Sequence, residues 1–106
     1  DLAQNIDQPA VVFVHQNLHD EADPHGVKNA PEVRMVLEDV GNVRAVFQGH
    51  NHKGGFARIK GIPYVTLMAA VDGSGPENNA YALVALREDE TIAVQGFGKQ
   101  PSYNLK

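Results

Sequence analysis

Val46-Phe47-Gln48-Gly49-His50-Asn51-His52-Lys53-Gly54-Gly55 decides how this chain is to be read. Val43–Phe47 is apolar enough for a buried strand, and it runs straight into a glycine and two histidines one residue apart. Glycine adopts backbone conformations that β-branched residues resist, so Gly49 predicts a sharp turn at the strand end. A one-residue gap in an extended turn lets two imidazoles point apart, which suits two neighbouring metal ions better than one. Neutral imidazole is the commonest protein side chain on such ions. Upstream, Ala10-Val11-Val12-Phe13-Val14 follows Pro9 as a second continuous apolar run, the pattern of a parallel strand buried on both faces, and it ends at His15.

Between the two runs lie a polar loop, residues 16–26, and a helix signal. Asn29 can cap, Pro31 and Glu32 suit a first turn, and Gly41 suits the stop. Val33, Val36, Leu37 and Val40 form the expected apolar stripe, with Met35 off it. Strand, helix and strand at this spacing make a right-handed crossover between parallel strands. His15 and His50 then arrive at the same sheet edge, where open α/β sheets place their ligand sites. Beyond Gly55, an alternating run over 56–60 and a longer β run over 62–71 are expected. A turn-rich loop over 72–79 follows, then a closing hairpin of strands 81–86 and 91–94, and from Gly96 a surface tail. The expected fold class is α/β, a β-α-β unit followed by antiparallel strands.

Composition narrows the function. A length of 106 residues allows one domain, spanning 1–106. Thirteen acidic against nine basic residues, a net charge of −4, argue against a nucleic-acid partner, for which a basic excess would be needed. No apolar run approaches the ~20 residues of a membrane-spanning helix, so a soluble chain with no membrane partner is expected. With no cysteine there is neither a disulfide framework nor a thiolate metal site, and the compartment stays undefined. Any metal falls to His, Asp, Glu or Asn. The chain starts at Asp1 with no signal-like segment, and reads as a piece of something longer.

Val11-Val12-Phe13-Val14-His15-Gln16-Asn17-Leu18 and Val46-Phe47-Gln48-Gly49-His50-Asn51-His52, with a helix between, resemble the last two blocks of the calcineurin-like metallophosphoesterases, V-x-x-x-H-x-x-L and G-H-x-H. The resemblance extends through Gly61-Ile62-Pro63-Tyr64-Val65-Thr66 over nearly the whole chain. From Phe47 to Tyr81 it is most similar to the branch of manganese-dependent ADP-ribose and CDP-alcohol diphosphatases and their bacterial relatives. It implies half of a two-sheet sandwich and two divalent or trivalent ions, Mn, Fe or Zn. His15 and His50 would lie on one ion and His52 on the other. The earlier blocks of that family, D-x-H, G-D-x-x-D and G-N-H-[DE], are missing. Asp23-Pro24-His25 spells D-x-H from a loop, and Gly41-Asn42-Val43 has valine where G-N-H needs histidine.

The bridging carboxylate and the general-acid histidine would therefore come from a missing amino-terminal half, and this chain would carry no catalytic residue. The expected function is hydrolysis of a phosphomonoester, phosphodiester or diphosphate in a small phosphorylated substrate by the complete domain, with the chain alone inactive. Asn51 and Lys53 are candidate substrate contacts. His19 and His25, among the acids of the loop, read as a solvated surface. Two alternatives remain. A cupin-like barrel also uses H-x-H, but Phe56 stands where its glutamate would be and a β-α-β start does not suit it. A non-catalytic module, holding one metal or pairing with a partner chain, is the other. Either completion by the missing half or self-association is expected, because the strand edges would otherwise stay unpaired.

Overall fold

The computed structural model describes residues 2–105. The first apolar run forms strand β1 (Ala10–Val14), helix α1 covers Ala30–Val40, and the second run forms β2 (Val43–Gln48). β3 (Gly55–Ile59), β4 (Ile62–Thr66), β5 (Ala80–Leu86), β6 (Ile92–Gly98) and β7 (Tyr103–Leu105) follow. β1 and β2 are parallel, with Phe13 opposite Phe47 and Val14 opposite Gln48. β4 lies parallel on the other side of β2 and antiparallel to β3, giving one sheet in the order β1-β2-β4-β3. β5, β6 and β7 make a separate antiparallel sheet.

Two apolar layers hold these parts. On one face of the first sheet, Val46 and Tyr64 pack with Leu37 of α1 and with Leu18. On the other, Ala45, Phe47 and Val65 meet Ile92 and Val94 of β6 and Leu105 of β7. β2 and β4 are the strands buried on both faces. β1 is less covered than its composition predicts: it is one of the sheet's two edge strands, and Phe13 is 72% exposed.

Several local features depart from the sequence reading. The helix buries Ala30 and Leu37 and half-buries Val33 and Val40, while Val36 is 59% exposed. At 100° per residue Val36 falls about 80° from the centre of that stripe, at the margin of a narrow contact. Asn29 precedes the helix without a side-chain cap, whereas Gly41 ends it in the left-handed conformation, as expected. β4 stops at Thr66, and 67–71 is irregular. The expected surface tail is instead the end of β6 followed by β7, and Gln100 and Leu105 are buried. Asn42, from the incomplete G-N-H, donates its amide to the carbonyls of Leu2, Asn5 and Gln8 and anchors the amino-terminal segment. Among the described residues no helix is long and apolar enough to cross a membrane.

Candidate metal centre

The parallel register carries past the strand ends. Val14 faces Gln48, and the next rung is a backbone bond from Gly49 N–H to the His15 carbonyl, 2.8 Å. This places His15 and His50 side by side, with His15 Nε2 and His50 Nδ1 3.2 Å apart and the rings nearly perpendicular at 83°. His52, two residues on, lines the same cavity of about 520 Å³, whose remaining wall includes Phe13, Phe47, Leu67 and Met68. All three histidines thus share one sheet edge.

The turn that delivers them is not built as its glycine suggested. Gly49 does not take a positive φ; His50 does, at 67°, in the left-handed region that side-chain-bearing residues rarely adopt. Such strain costs on the order of 1–3 kcal/mol and concentrates at functional sites. The glycine that the turn requires is Gly54, at φ 71°, where a Cβ would stand 2.6 Å from Met68 Cγ. Asn51 serves the turn as well: its side-chain oxygen accepts from Lys53 N–H at 3.2 Å, and its carbonyl from Gly54 N–H at 3.0 Å. Lys53 is exposed.

Two residues that the sequence did not single out organise the site. Gln48 is buried at the end of β2, where its Oε1 accepts from Leu18 N–H at 2.9 Å. That bond fixes the amide so that Nε2 faces His19 Nδ1 at 2.6 Å and donates to Thr66 Oγ1 at 2.8 Å. One side chain therefore clamps the loop after β1 to β2 and β4. Arg34 of α1 adds a second tie, from Nη1 to the Leu18 carbonyl at 2.6 Å. Replacing Gln48 with leucine should destabilise the fold by about 1–3 kcal/mol, because the buried Leu18 N–H loses its acceptor. Urea denaturation would read this, and an unchanged midpoint would show that the clamp carries no load. The other residue is Asp72, whose Oδ1 lies 3.0 Å from His52 Nδ1.

The loop over 16–26 comes closer to the site than its polarity suggested: the His25 ring lies 5.4 Å from that of His50, centre to centre. Glu21 pairs with Arg34 of α1, and the loop's two aspartates are engaged locally. Asp20 accepts from Ala22 N–H and Asp23 from His25 N–H, and the latter bond, aided by the Asn17 amide, holds the Asp23 carboxyl below the ordinary carboxylate range. Among the described residues no group of three or more His, Asp or Glu is gathered closely enough to hold a metal ion. The His15–His50 contact is a hydrogen bond between the two rings, and its 3.2 Å span is also close to that of one coordination edge. Two nitrogens each about 2.0–2.1 Å from a tetrahedral ion stand about 3.3–3.4 Å apart. The donor set fits part of a metal site and lacks the carboxylates that would offset the ions' charge.

No protein family and no curated protein matches this chain. Among solved structures, a dimetal phosphatase from Danio rerio matches it with a TM-score of 0.83 and 27% identity, over 92% of this chain and 32% of that one. The fold is metallophosphoesterase-like: a sheet with parallel strands and a separate antiparallel sheet, as in half of such a sandwich. The chain spans about a third of the length of the phosphatase it matches.

Proposed function

We propose that this chain is the histidine-bearing part of a dinuclear centre that hydrolyses a phosphoester or diphosphate bond in a small phosphorylated substrate. The observation that carries the reading is the 3.2 Å juxtaposition of His15 Nε2 and His50 Nδ1, with His52 on the same cavity. The likeness of the backbone to a dimetal phosphatase supports it. His15 and His50 would hold one ion and His52 its neighbour; imidazole with carboxylate suits Mn²⁺, Fe or Zn²⁺. A bound pair of ions supplies Lewis-acid polarisation of a phosphoryl oxygen. This chain's own residues bind and orient: the backbone rung at Gly49 sets the first two rings, and Asp72 meets the third. The carboxylates and the general acid come from a complementary segment, so the chain by itself is inactive. The G-H-x-H context from Phe47 to Tyr81 favours the ADP-ribose and CDP-alcohol diphosphatase branch, and with it Mn²⁺.

Calorimetric titration of the chain with Mn²⁺ and Zn²⁺ tests the proposal, beside a variant with His15, His50 and His52 all replaced by alanine. Weak binding lost in the variant is expected. Equal heats from both proteins would sink the metal reading and favour a module that only pairs with a partner chain. Tight binding by the isolated chain would favour a self-contained mononuclear site, a reading against which the lack of a third grouped ligand among the described residues stands.

A further inference from the structure

We infer that Asp72 is the positioning residue for His52, fixing the ring's proton on Nδ1 and leaving Nε2 as the nitrogen free to bind an ion. A carboxylate only accepts hydrogen bonds, so a 3.0 Å contact between Asp72 Oδ1 and His52 Nδ1 requires the proton to sit on Nδ1. A neutral imidazole has one N–H, and its lone pair is then on Nε2. The pair joins residues 20 apart in sequence and is partly solvated, with side chains 56% and 48% exposed. Its geometry is therefore held from elsewhere.

The holding elements belong to the second sheet. Lys99, in the turn after β6, donates from Nζ to the Asp72 carbonyl at 3.0 Å, while its own N–H binds the Asn79 carbonyl at 2.8 Å. The neighbouring Gln100 is buried and accepts from Met68 N–H at 2.8 Å. On the other side, Ala69 N–H binds the His52 carbonyl at 3.2 Å. The loop carrying Asp72 is thus tied to the β6–β7 turn and to the histidine turn, and the His52 ring is referenced to the second sheet. His15 and His50 are referenced to the first. The two sheets together set where the third imidazole stands relative to the other two, which a short His-x-His turn could not do alone.

The consequence for metal affinity rests on the function proposed above; the tautomer does not. Carboxylates that orient metal-binding histidines are worth roughly 10- to 100-fold in affinity. Long-range proton–nitrogen NMR correlations of the isotope-labelled, metal-free chain read the tautomer of His52 directly. The native chain should show His52 with Nδ1 protonated. Asp72→Asn, which keeps an acceptor oxygen, should retain that form, whereas Asp72→Ala should shift the ring toward Nε2–H. In Zn²⁺ titrations Asp72→Ala should bind about 10- to 100-fold more weakly, and Asp72→Asn should recover most of the loss. A native His52 carrying its proton on Nε2, or a tautomer unchanged in Asp72→Ala, would overturn the inference. A native chain that takes up no Zn²⁺ would overturn the metal reading instead, and the tautomer comparison would still decide the role of Asp72.

Discussion

Replacing His50 with glycine should raise the melting temperature of this chain while removing most of its affinity for Mn²⁺ or Zn²⁺. The two effects have opposite signs because one residue serves two ends. At φ 67° the His50 backbone carries the strain of a left-handed residue with a side chain. Relieving it is worth on the order of 1–3 kcal/mol, from which the greater chain entropy of glycine subtracts about 0.5–1 kcal/mol. A net gain of about 1 kcal/mol moves the melting point of a domain of this size by roughly 4 °C. The ring lost with it is one of the two nitrogens of the 3.2 Å edge, so metal affinity should fall by more than about tenfold. His50→Ala separates the two effects. Alanine removes the ring and keeps the strain, so it should lose the metal without gaining stability. Calorimetry and thermal unfolding on the three proteins suffice. Equal melting points for the glycine and alanine variants would refute the strain, and undiminished metal heats in both would refute the site.

That His50 rather than Gly49 bends the chain shows where sequence reading stopped. Two continuous apolar runs joined by a helix that stops at a glycine were enough to predict parallel strands, and parallel strands were enough to bring His15 and His50 to one edge. Both inferences rest on chain direction and handedness, which local patterns encode. Gln48 and Asp72 were not legible because their roles depend on distant partners. Gln48 is the polar last residue of a strand until Leu18, His19 and Thr66 surround it. Asp72 opens a stretch of turn formers whose composition announces a loop and nothing about which histidine it meets.

The missed end of β6 has a similar cause. A surface tail is expected from Gly96, yet Gly96 and Gly98 lie within the strand because other backbone passes too close for a side chain. A Cβ on Gly96 would stand 2.0 Å from the Gln100 carbonyl oxygen, and one on Gly98 1.9 Å from that of Asn79. A glycine that admits a neighbouring chain looks the same in sequence as a glycine that ends a strand. The same turn carries Lys99, so misreading it also hid the tie to Asp72.

At micromolar concentration the isolated chain should associate, and substituting Phe13 and Leu86 together with lysine should leave it monomeric. β1 is one edge of the first sheet and β5 one edge of the second, and both open on the same side of the sandwich, where Pro9, Val11, Leu86 and Ile92 line one small cavity. Phe13 stacks on the buried Phe47 at 5.4 Å, so it belongs to the inner layer although 72% of it is exposed. On β5, Val84 pairs with Val94 and Leu86 with Ile92, which puts them on the same inner layer, yet Leu86 is 66% exposed. The layer is therefore unfinished along one side, and the two strands beside it present unpaired N–H and C=O groups that template further strand pairing. Large exposed apolar side chains along the open side of a layer suit an interaction site. The carboxylate-bearing segment of the proposed centre would enter from this side, beside Phe13 and the three histidines that line the larger cavity. Without it, a second copy offers the same two edges. Sedimentation velocity over a dilution series reads the outcome as a mass that rises with concentration in the native chain and stays constant in the double variant. A native chain that sediments as a monomer throughout, and melts cooperatively, would show that its exposed inner layer is stable in water and that the open side recruits nothing.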